Sequence, residues 1–185
     1  MVTETDQSSA KKILEELIKN NIGKKDDGMF NFSPGDRLKA ALYALKEGAS
    51  IDEVSEHIGW KDFEGLVAEI LASKDFATIR NMILKKPRME IDVVGIKMGI
   101  ALLIDCKHWK KNSSSALQNV VSKQVERTKH YVAQTQGSSA IPVIVTLYQD
   151  RIDFINKVPI VPIFQFASFV DEFYGNLDDM KQIKA

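Results

Sequence analysis

The stretch from Met89 to Trp109, MEIDVVGIKMGIALLIDCKHW, decides the fold. Two short runs rich in Ile, Val, Leu and Met flank a turn near Gly99, a pattern typical of two strands joined as a hairpin. Alternate residues of a strand face the same side, so Asp105 and Lys107 point together. Because the two strands are nearly contiguous in sequence, a hairpin can bring Asp92 beside Asp105.

Two carboxylates and one ammonium group at the end of an apolar sheet cost free energy unless something compensates them. Close carboxylates repel each other, and buried charges need a partner or a metal. A divalent cation with oxygen ligands would remove the repulsion. A lysine alongside would position a water molecule and stabilise negative charge on a phosphate. The pattern therefore indicates metal-assisted hydrolysis of a phosphodiester.

The charged positions follow a known arrangement. Asp92, twelve intervening residues and then Asp105-Cys106-Lys107 resemble the motif of the PD-(D/E)xK nucleases, which have the restriction-endonuclease-like fold. The helical segment FEGLVAEIL, residues 63–71, is similar to the first core helix of Mrr-like restriction enzymes and archaeal Holliday-junction resolvases. The resemblance covers roughly residues 60–134. The first motif departs from the pattern, since it reads Glu-Ile-Asp rather than Pro-Asp.

The resemblance implies a Mg²⁺-dependent or Mn²⁺-dependent DNA endonuclease. In that family's mechanism, Asp92 and Asp105 would be metal ligands, together with the backbone carbonyl of Cys106. Lys107 would position the attacking water, and Glu64 would complete the metal shell directly or through water. DNA is the implied partner, and a homodimer is expected because relatives often dimerise to cut two strands.

Each of these roles has a structural alternative. Asp92, Asp105 and Lys107 could form an exposed ion-pair ladder, an arrangement worth roughly 0–1 kcal/mol. Ionisable groups at the end of an apolar strand favour the catalytic interpretation. Glu64 could instead be a solvated first-turn glutamate favoured by the helix dipole, and Glu69 is the less favoured candidate for its role.

Gln124 places a polar amide inside an apolar stripe of helical spacing. One interpretation is an amide that is hydrogen-bonded to a neighbouring backbone group. The other is a residue that supports the metal ligands from behind or contacts a phosphate. The stripe consists of Leu117, Val120, Val121, Val125, Thr128 and Val132.

Basic residues are concentrated near this segment, although the whole chain has 25 basic and 25 acidic residues. Between Asp105 and Tyr131 there are six basic and two acidic side chains. These could be an ordinary solvated helix face and loop, but beside the candidate site they favour a track for the phosphate backbone, which is read without regard to sequence. The predicted DNA contacts are Lys85, Lys86, Arg88, Lys110, Lys111, Lys123 and Arg127.

Composition excludes several classes of protein. The chain has 185 residues, of which 44% are hydrophobic and 27% charged, as in ordinary globular proteins. Its one cysteine excludes an intrachain disulfide framework and a multi-cysteine zinc site. The longest apolar run, residues 99–104, is too short to span a bilayer, and the N-terminus is polar. A cytoplasmic protein without a membrane segment is expected.

The pattern along the chain predicts an α/β fold with a restriction-endonuclease-like core, a mixed sheet flanked by helices, at residues 59–185, and a helical N-terminal extension at residues 1–58. In the extension, Ser8 or Ser9 is expected to cap the first helix, 24–35 to be a loop, and Ser50 and Glu53 to start a short helix. In the core we expect strands at 78–84, 89–96, 99–107, 141–148, 151–155 and 158–163, and helices at 62–71, 115–134 and 166–174. The strands at 141–148 and 151–155 should form a hairpin, and the prolines of 158–163 favour an edge position.

Two other functions are compatible with the same residues. Residues 38–71 could be a helix-turn-helix module of a DNA-binding protein that cuts nothing. However, a helix that packs Phe63, Leu66 and Leu71 against the sheet cannot also lie freely in a major groove. The third possibility is a degenerate nuclease fold that is retained for binding.

Overall fold

The computed structural model describes residues 6–49, 54, 57, 59–107, 114–135, 139–147 and 152–184. The chain divides into two compact units, residues 1–62 and 63–185. The domain boundary expected after residue 58 stays a prediction, because residue 58 and several residues before it are outside the described part. The helix expected to start at Ser50 and Glu53 lies outside it as well.

The first helix of the chain begins after Asp6. The Asp6 carboxylate accepts hydrogen bonds from the backbone N–H groups of Ser8 and Ser9, at 2.9 and 3.0 Å. The prediction that Ser8 or Ser9 caps this helix was therefore wrong. An aspartate is an equally favourable cap, and it reaches two otherwise unpaired N–H groups of the first turn.

The segment 24–35, predicted as a loop, contains a small hairpin. Asp27 and Gly28 connect its strands with φ angles of 47° and 78°. An Asp-Gly pair with two positive φ angles is a favoured hairpin connection, so the local signal was present in the sequence. The elements of the first unit are α1 (Gln7–Lys19), β1 (Lys24–Asp26), β2 (Met29–Asn31) and α2 (Pro34–Lys46).

The second unit is a mixed sheet with helices packed against it, which confirms the predicted α/β class. A helix that spans the division between the units, α3 (Trp60–Ser73), precedes the sheet. The further elements are β3 (Ala77–Lys85), β4 (Arg88–Lys97), β5 (Ile100–Lys107), α4 (Ser114–Gln134), β6 (Ser139–Thr146), β7 (Asp153–Ile155), β8 (Val158–Pro162), α5 (Ile163–Glu172), a 3₁₀ helix (Phe173–Asp179) and β9 (Ile183–Lys184). The described strands form a seven-stranded sheet in the order β3-β4-β5-β6-β8-β7, with β9 beside β6.

The strands after α4 pair differently from the prediction. β6 is parallel to both β5 and β8, whereas β7, among the described strands, pairs only with β8, in antiparallel orientation. The predicted hairpin between 141–148 and 151–155 was therefore wrong, and so was the edge position of 158–163. The two prolines fit an interior strand because Pro162 is its last residue and Pro159 lies outside the β6–β8 register, which begins at Ile160.

The core of the second unit is formed where α4 packs against the sheet. Val120 and Val121 of this helix join Ile144 and Ile160 in one buried cluster, and Tyr131 near the helix end joins a second cluster. Each fully buried aliphatic side chain contributes roughly 1.5–3 kcal/mol. This packing therefore fixes the face of α4 that overlies β5 and β6. None of the described helices is long and apolar enough to cross a membrane.

Candidate active site on strands β4 and β5

The hairpin of β4 and β5 brings the two predicted aspartates together. Its pairs run from Lys97 opposite Ile100 to Val93 opposite Ile104, and continuing the register by one residue places Asp92 opposite Asp105. Directly opposed residues of antiparallel strands carry their side chains on the same face. The sequence therefore determines this juxtaposition through strand alternation and the turn between the strands.

Asp92 reaches across to the neighbouring strand with its side chain. Its Oδ2 accepts a hydrogen bond from the backbone N–H of Cys106 at 2.7 Å. The bond lies beyond Val93–Ile104, the last backbone pair at this end of the ladder, so a carboxylate takes the place that a backbone carbonyl occupies elsewhere in the sheet. This contact fixes the position of the Asp92 side chain beside β5.

Asp105 is a buried carboxylate that lies between two cationic groups. Its side chain is 4% exposed. Oδ1 accepts a hydrogen bond from Nη1 of Arg127 at 2.8 Å, and Oδ2 lies 2.8 Å from Nζ of Lys107. The Lys107 contact is an ion pair without hydrogen-bond geometry, since Oδ2 is among the buried oxygens of the described residues that make no hydrogen bond.

The electrostatic environment of Asp92 is unfavourable to its charge. Burial raises the pKa of Asp92 from 3.8 to about 6, against the opposing effect of the hydrogen bond from Cys106. The charges of Asp105 and Glu64 also raise this pKa, and Lys107 lowers it. The charges of the other three predicted catalytic side chains therefore all act on Asp92.

Glu64 lies near the start of α3 and is only 5% exposed. It is therefore not the solvated first-turn glutamate of the alternative interpretation. Glu69, one and a half turns later, is exposed, as expected for the less favoured candidate. The neighbouring Gly65 lies close to the guanidinium of Arg80, whose Nη1 would be 3.7 Å from an added Cβ atom.

Gln124 supports the site from α4, the helix that also carries Arg127. It is fully buried, and its Nε2 donates a hydrogen bond to the Leu103 carbonyl at 2.8 Å. Its Oε1 accepts a hydrogen bond from Nη1 of Arg127 at 3.2 Å. Gln124 thus combines both interpretations: its amide binds the backbone, and it helps to hold the arginine that contacts Asp105.

The Asp105–Arg127 pair is the feature that sequence reasoning missed. Arg127 was predicted as a DNA contact, not as a partner of the Asp105 carboxylate. The available signal was the spacing of Gln124 and Arg127, which are three residues apart and share a face of α4. A second missed residue is Thr146, whose buried Oγ1 makes no hydrogen bond among the described residues and which lies opposite Lys107 in the β5–β6 register.

The cysteine between the two charged residues of β5 is chemically inert. Burial raises the pKa of the Cys106 thiol, and the nearby carboxylates of Asp92, Asp105 and Glu64 raise it further. A neutral thiol in this setting is neither a nucleophile nor a metal ligand. A role for Cys106 is therefore limited to its backbone.

A divalent cation fits the chemistry of these donors, although the donors are not assembled around one point. Among the described residues there is no group of three or more His, Cys, Asp and Glu side chains that could hold a metal ion. Asp105 is engaged by Lys107 and Arg127 instead. The buried Oδ2 without a hydrogen bond and the unfavourable charge of Asp92 nevertheless present oxygen ligands with a surplus of negative charge, which suits Mg²⁺.

Three of the predicted DNA-contact residues line one groove, and one of them, Arg127, also contacts Asp105. Arg88, Lys123 and Arg127 line a groove of about 470 Å³ between the start of β4 and α4, together with Glu90 and Glu126. Lys85 and Lys86 are exposed at the β3–β4 turn. The predicted contacts Lys110 and Lys111 lie outside the described residues.

The chain is similar to a small number of known proteins. No protein-family model matches it. Three solved structures are similar over about half of their own length. They are a protein of unknown function, AF1548 (20% identity, 58% of this chain and 52% of that one, TM-score 0.38), VC1899 from Vibrio cholerae (13%, 96% and 46%, 0.44), and Can2 from Sulfobacillus thermosulfidooxidans in complex with cyclic tetra-adenylate (14%, 93% and 46%, 0.44).

A curated relative is closer in sequence. An uncharacterized protein of Archaeoglobus fulgidus is 34% identical over 119 residues, which are 62% of this chain and 92% of the relative. The match therefore includes nearly the whole of that protein. The chain belongs to the same family as this uncharacterized Archaeoglobus fulgidus protein.

Proposed function

We propose that the protein is a Mg²⁺-dependent or Mn²⁺-dependent endonuclease that hydrolyses phosphodiester bonds in DNA. The observation that carries the proposal is the unfavourable charge of Asp92, whose pKa is raised to about 6 chiefly by burial and further by the charges of Asp105 and Glu64, while Lys107 acts in the opposite sense. Like charges in a buried setting are unfavourable for stability, and a bound divalent cation would neutralise them. Groups perturbed in this way are typical of functional sites.

Asp92 and Asp105 would hold the cation, with the Cys106 carbonyl and Glu64 as further donors. A bound divalent cation would supply a polarised water and neutralise charge on the phosphate. Asp92 is positioned for this role by its 2.7 Å bond from the Cys106 N–H group. Because that bond fixes Oδ2, the carboxylate cannot rotate freely, and Oδ1 is held in one orientation beside β5.

Lys107 has a separate role in the proposed reaction. Its Nζ lies 2.8 Å from Asp105 Oδ2, and its side chain is 17% exposed. An ammonium group at this place can donate a hydrogen bond to the attacking water and stabilise the negative charge that develops on the phosphate. Lysine is suited to this because it carries three donors on a flexible stem.

The substrate would be bound mainly through its phosphates. Lys85, Lys86, Arg88 and Lys123 are exposed on the same side of the unit as the groove or at the adjoining turn. Such contacts carry no sequence information, so affinity should fall steeply with salt concentration. A homodimer would supply two sites and allow both strands of a duplex to be cut.

Cleavage assays test the proposal directly. The purified protein is incubated with supercoiled plasmid, a four-way junction, single-stranded DNA and single-stranded RNA, with and without added Mg²⁺ or Mn²⁺. We expect metal-dependent products from DNA, and their loss in Lys107→Ala. The matched control is Lys184→Ala, which removes an exposed lysine of β9 at the end of β6 that lies opposite to the Lys107 end and should cut like the wild type.

A second function is favoured by one observation. Both carboxylate oxygens of Asp105 lie 2.8 Å from a cationic group of the protein, an arrangement that also suits a fold retained for binding alone. That function predicts DNA affinity that survives Asp105→Ala, with no metal-dependent products at any protein concentration. Metal-dependent cleavage that Lys107→Ala abolishes would exclude it.

A further inference from the structure

Arg127 connects the buried carboxylate of the site with the surface groove. Its Nη1 makes both of its contacts with the described residues, at 2.8 Å to Asp105 and 3.2 Å to Gln124. The side chain is 25% exposed, and it lines the groove together with Arg88 and Lys123. Nη1 of the guanidinium therefore contacts the buried side chains, while the rest of the Arg127 side chain borders the groove.

We propose that Arg127 couples nucleic-acid binding to cation binding. In the free protein the arginine occupies Oδ1 of Asp105. A substrate phosphate that enters the groove draws the guanidinium away, and Asp105 then becomes available to a divalent cation. The nature of the substrate rests on the proposed function, whereas the coupling rests on the position of Arg127.

The chemistry of the guanidinium makes this exchange feasible. Arginine presents five N–H donors in a planar fork that matches a phosphate with two parallel hydrogen bonds. The exchange replaces one anionic partner of the arginine with another. Asp105 is not left without a cationic neighbour, since Lys107 stays at its Oδ2.

Oδ1 of Asp105 cannot bind the Arg127 guanidinium and a divalent cation equally well at the same time. An arginine nitrogen 2.8 Å from Oδ1 places positive charge where a ligated divalent cation would lie. The two cations would repel each other at this separation. Cation binding and the Asp105–Arg127 contact are therefore competitive, and any ligand that weakens the contact must strengthen cation binding.

The groove has the composition for a weak phosphate site. Its three cationic side chains are accompanied by Glu90 and Glu126. Glu126 is paired with Lys129 at 3.3 Å, which offsets part of its repulsion. A single phosphate should thus bind weakly by itself, and more strongly as part of a chain of phosphates.

Thermodynamic linkage makes the proposal measurable without any cleavage. If an oligonucleotide raises the affinity for the cation by some factor, the cation raises the affinity for the oligonucleotide by the same factor. The probes are Mn²⁺, followed by electron paramagnetic resonance of the free ion, and a DNA duplex with phosphorothioate linkages, which keeps its charge and resists hydrolysis. Binding of Mn²⁺ to the duplex alone is subtracted.

We expect the duplex to raise the Mn²⁺ affinity of the wild-type protein at least about fivefold. Arg127→Gln should bind Mn²⁺ more tightly than the wild type in the absence of DNA, and the duplex should then change its affinity less than twofold. The matched control, Arg88→Gln, removes the same charge from the same groove without a contact to Asp105. It should bind the duplex more weakly, keep the Mn²⁺ affinity of the wild type and retain the coupling.

Three results would overturn the proposal. The first is that the duplex leaves the Mn²⁺ affinity of the wild type unchanged, and the second is that Arg127→Gln keeps the full coupling. The third is that Arg127→Gln and Arg88→Gln behave alike, because the effect would then come from the loss of one positive charge and not from the contact with Asp105. If Arg127→Gln does not fold by circular dichroism, Arg127→Lys replaces it, and loss of at least half of the coupling free energy is then expected. Coupling without cleavage would reject the proposed hydrolysis alone, and cleavage without coupling would reject this inference alone.

Discussion

Replacing Asp92 with asparagine should stabilise the protein at pH 8 and change its stability little at pH 4. The folded protein raises the pKa of Asp92 from 3.8 to about 6, chiefly through burial. Between these values the folded chain keeps a proton that the unfolded chain has released. The free energy of unfolding therefore falls as the pH rises from the unfolded-state pKa to the folded-state pKa. Above pH 7 the full destabilisation by the ionised Asp92 is present.

The magnitude follows from the two pKa values. A difference of one pKa unit is worth about 1.4 kcal/mol, so the change from 3.8 to about 6 corresponds to about 3 kcal/mol. Asparagine has nearly the same shape and carries no charge. Its Oδ1 can still accept the hydrogen bond from the Cys106 N–H group, so the substitution removes the unfavourable ionisation and little else.

Urea denaturation at pH values from 4 to 8 measures the effect. Asp92→Asn should exceed the wild type by about 3 kcal/mol at pH 8, and the difference should shrink toward zero at pH 4. Glu90→Gln is the control, because it removes an exposed carboxylate from the same strand and should act within about 0.5 kcal/mol at every pH. An asparagine variant that is less stable than the wild type at pH 8, or equally shifted at all pH values, would refute the reasoning.

Further predictions concern the other residues of the site and the core. Lys107→Ala should lower the rate of metal-dependent cleavage by at least about 100-fold, as a plasmid-nicking time course would show, because a donor aimed at developing charge is lost. Gln124→Leu should lower the free energy of unfolding by about 1–3 kcal/mol in urea, since the buried Leu103 carbonyl loses its 2.8 Å bond from Nε2; an unchanged midpoint would contradict this. At pH 8, Mg²⁺ should raise the Tm of the wild type but not that of Asp92→Asn. At a Mg²⁺ concentration of 100 times the Kd, the gain in the free energy of unfolding should be about 2.7 kcal/mol. Gly95→Ala should destabilise by about 1–3 kcal/mol, because its Cβ would lie 2.8 Å from Cδ1 of the buried Leu71, whereas Gly175→Ala, with nothing within 4 Å, should be nearly neutral.

Local patterns in the sequence were sufficient for the elements that carry the site. The β4–β5 hairpin is contiguous in the chain, so alternation alone places Asp92 and Asp105 on one face. The period of α4 likewise identified Gln124 as a polar group within an apolar stripe, and the structure buries it completely. In both cases the partners lie close in sequence or on one regular element.

Pairing between distant segments could not be predicted in the same way. β8 lies between β6 and β7 because buried apolar strands find parallel partners across the sheet, and no local pattern encodes the choice. The true hairpin is β7–β8, where Asn156 and Lys157 both adopt positive φ angles, and its signal was overlooked. The Asp105–Arg127 pair, which spans 22 residues, depends on how α4 is seated over β5.

The exposed turn between β4 and β5 sets the register of the two aspartates about 20 Å away, given roughly 3.3 Å for each of the six residues from Asp92 to Met98. Met98 and Gly99 turn the chain with φ angles of 49° and 77°, and the Met98 side chain is 80% exposed, so its identity is nearly free to vary. The length of the turn is not free. If an inserted residue there shifted the β4–β5 register by one, Asp92 would leave the face that it shares with Asp105, and the buried side chains of β4 would turn over with it.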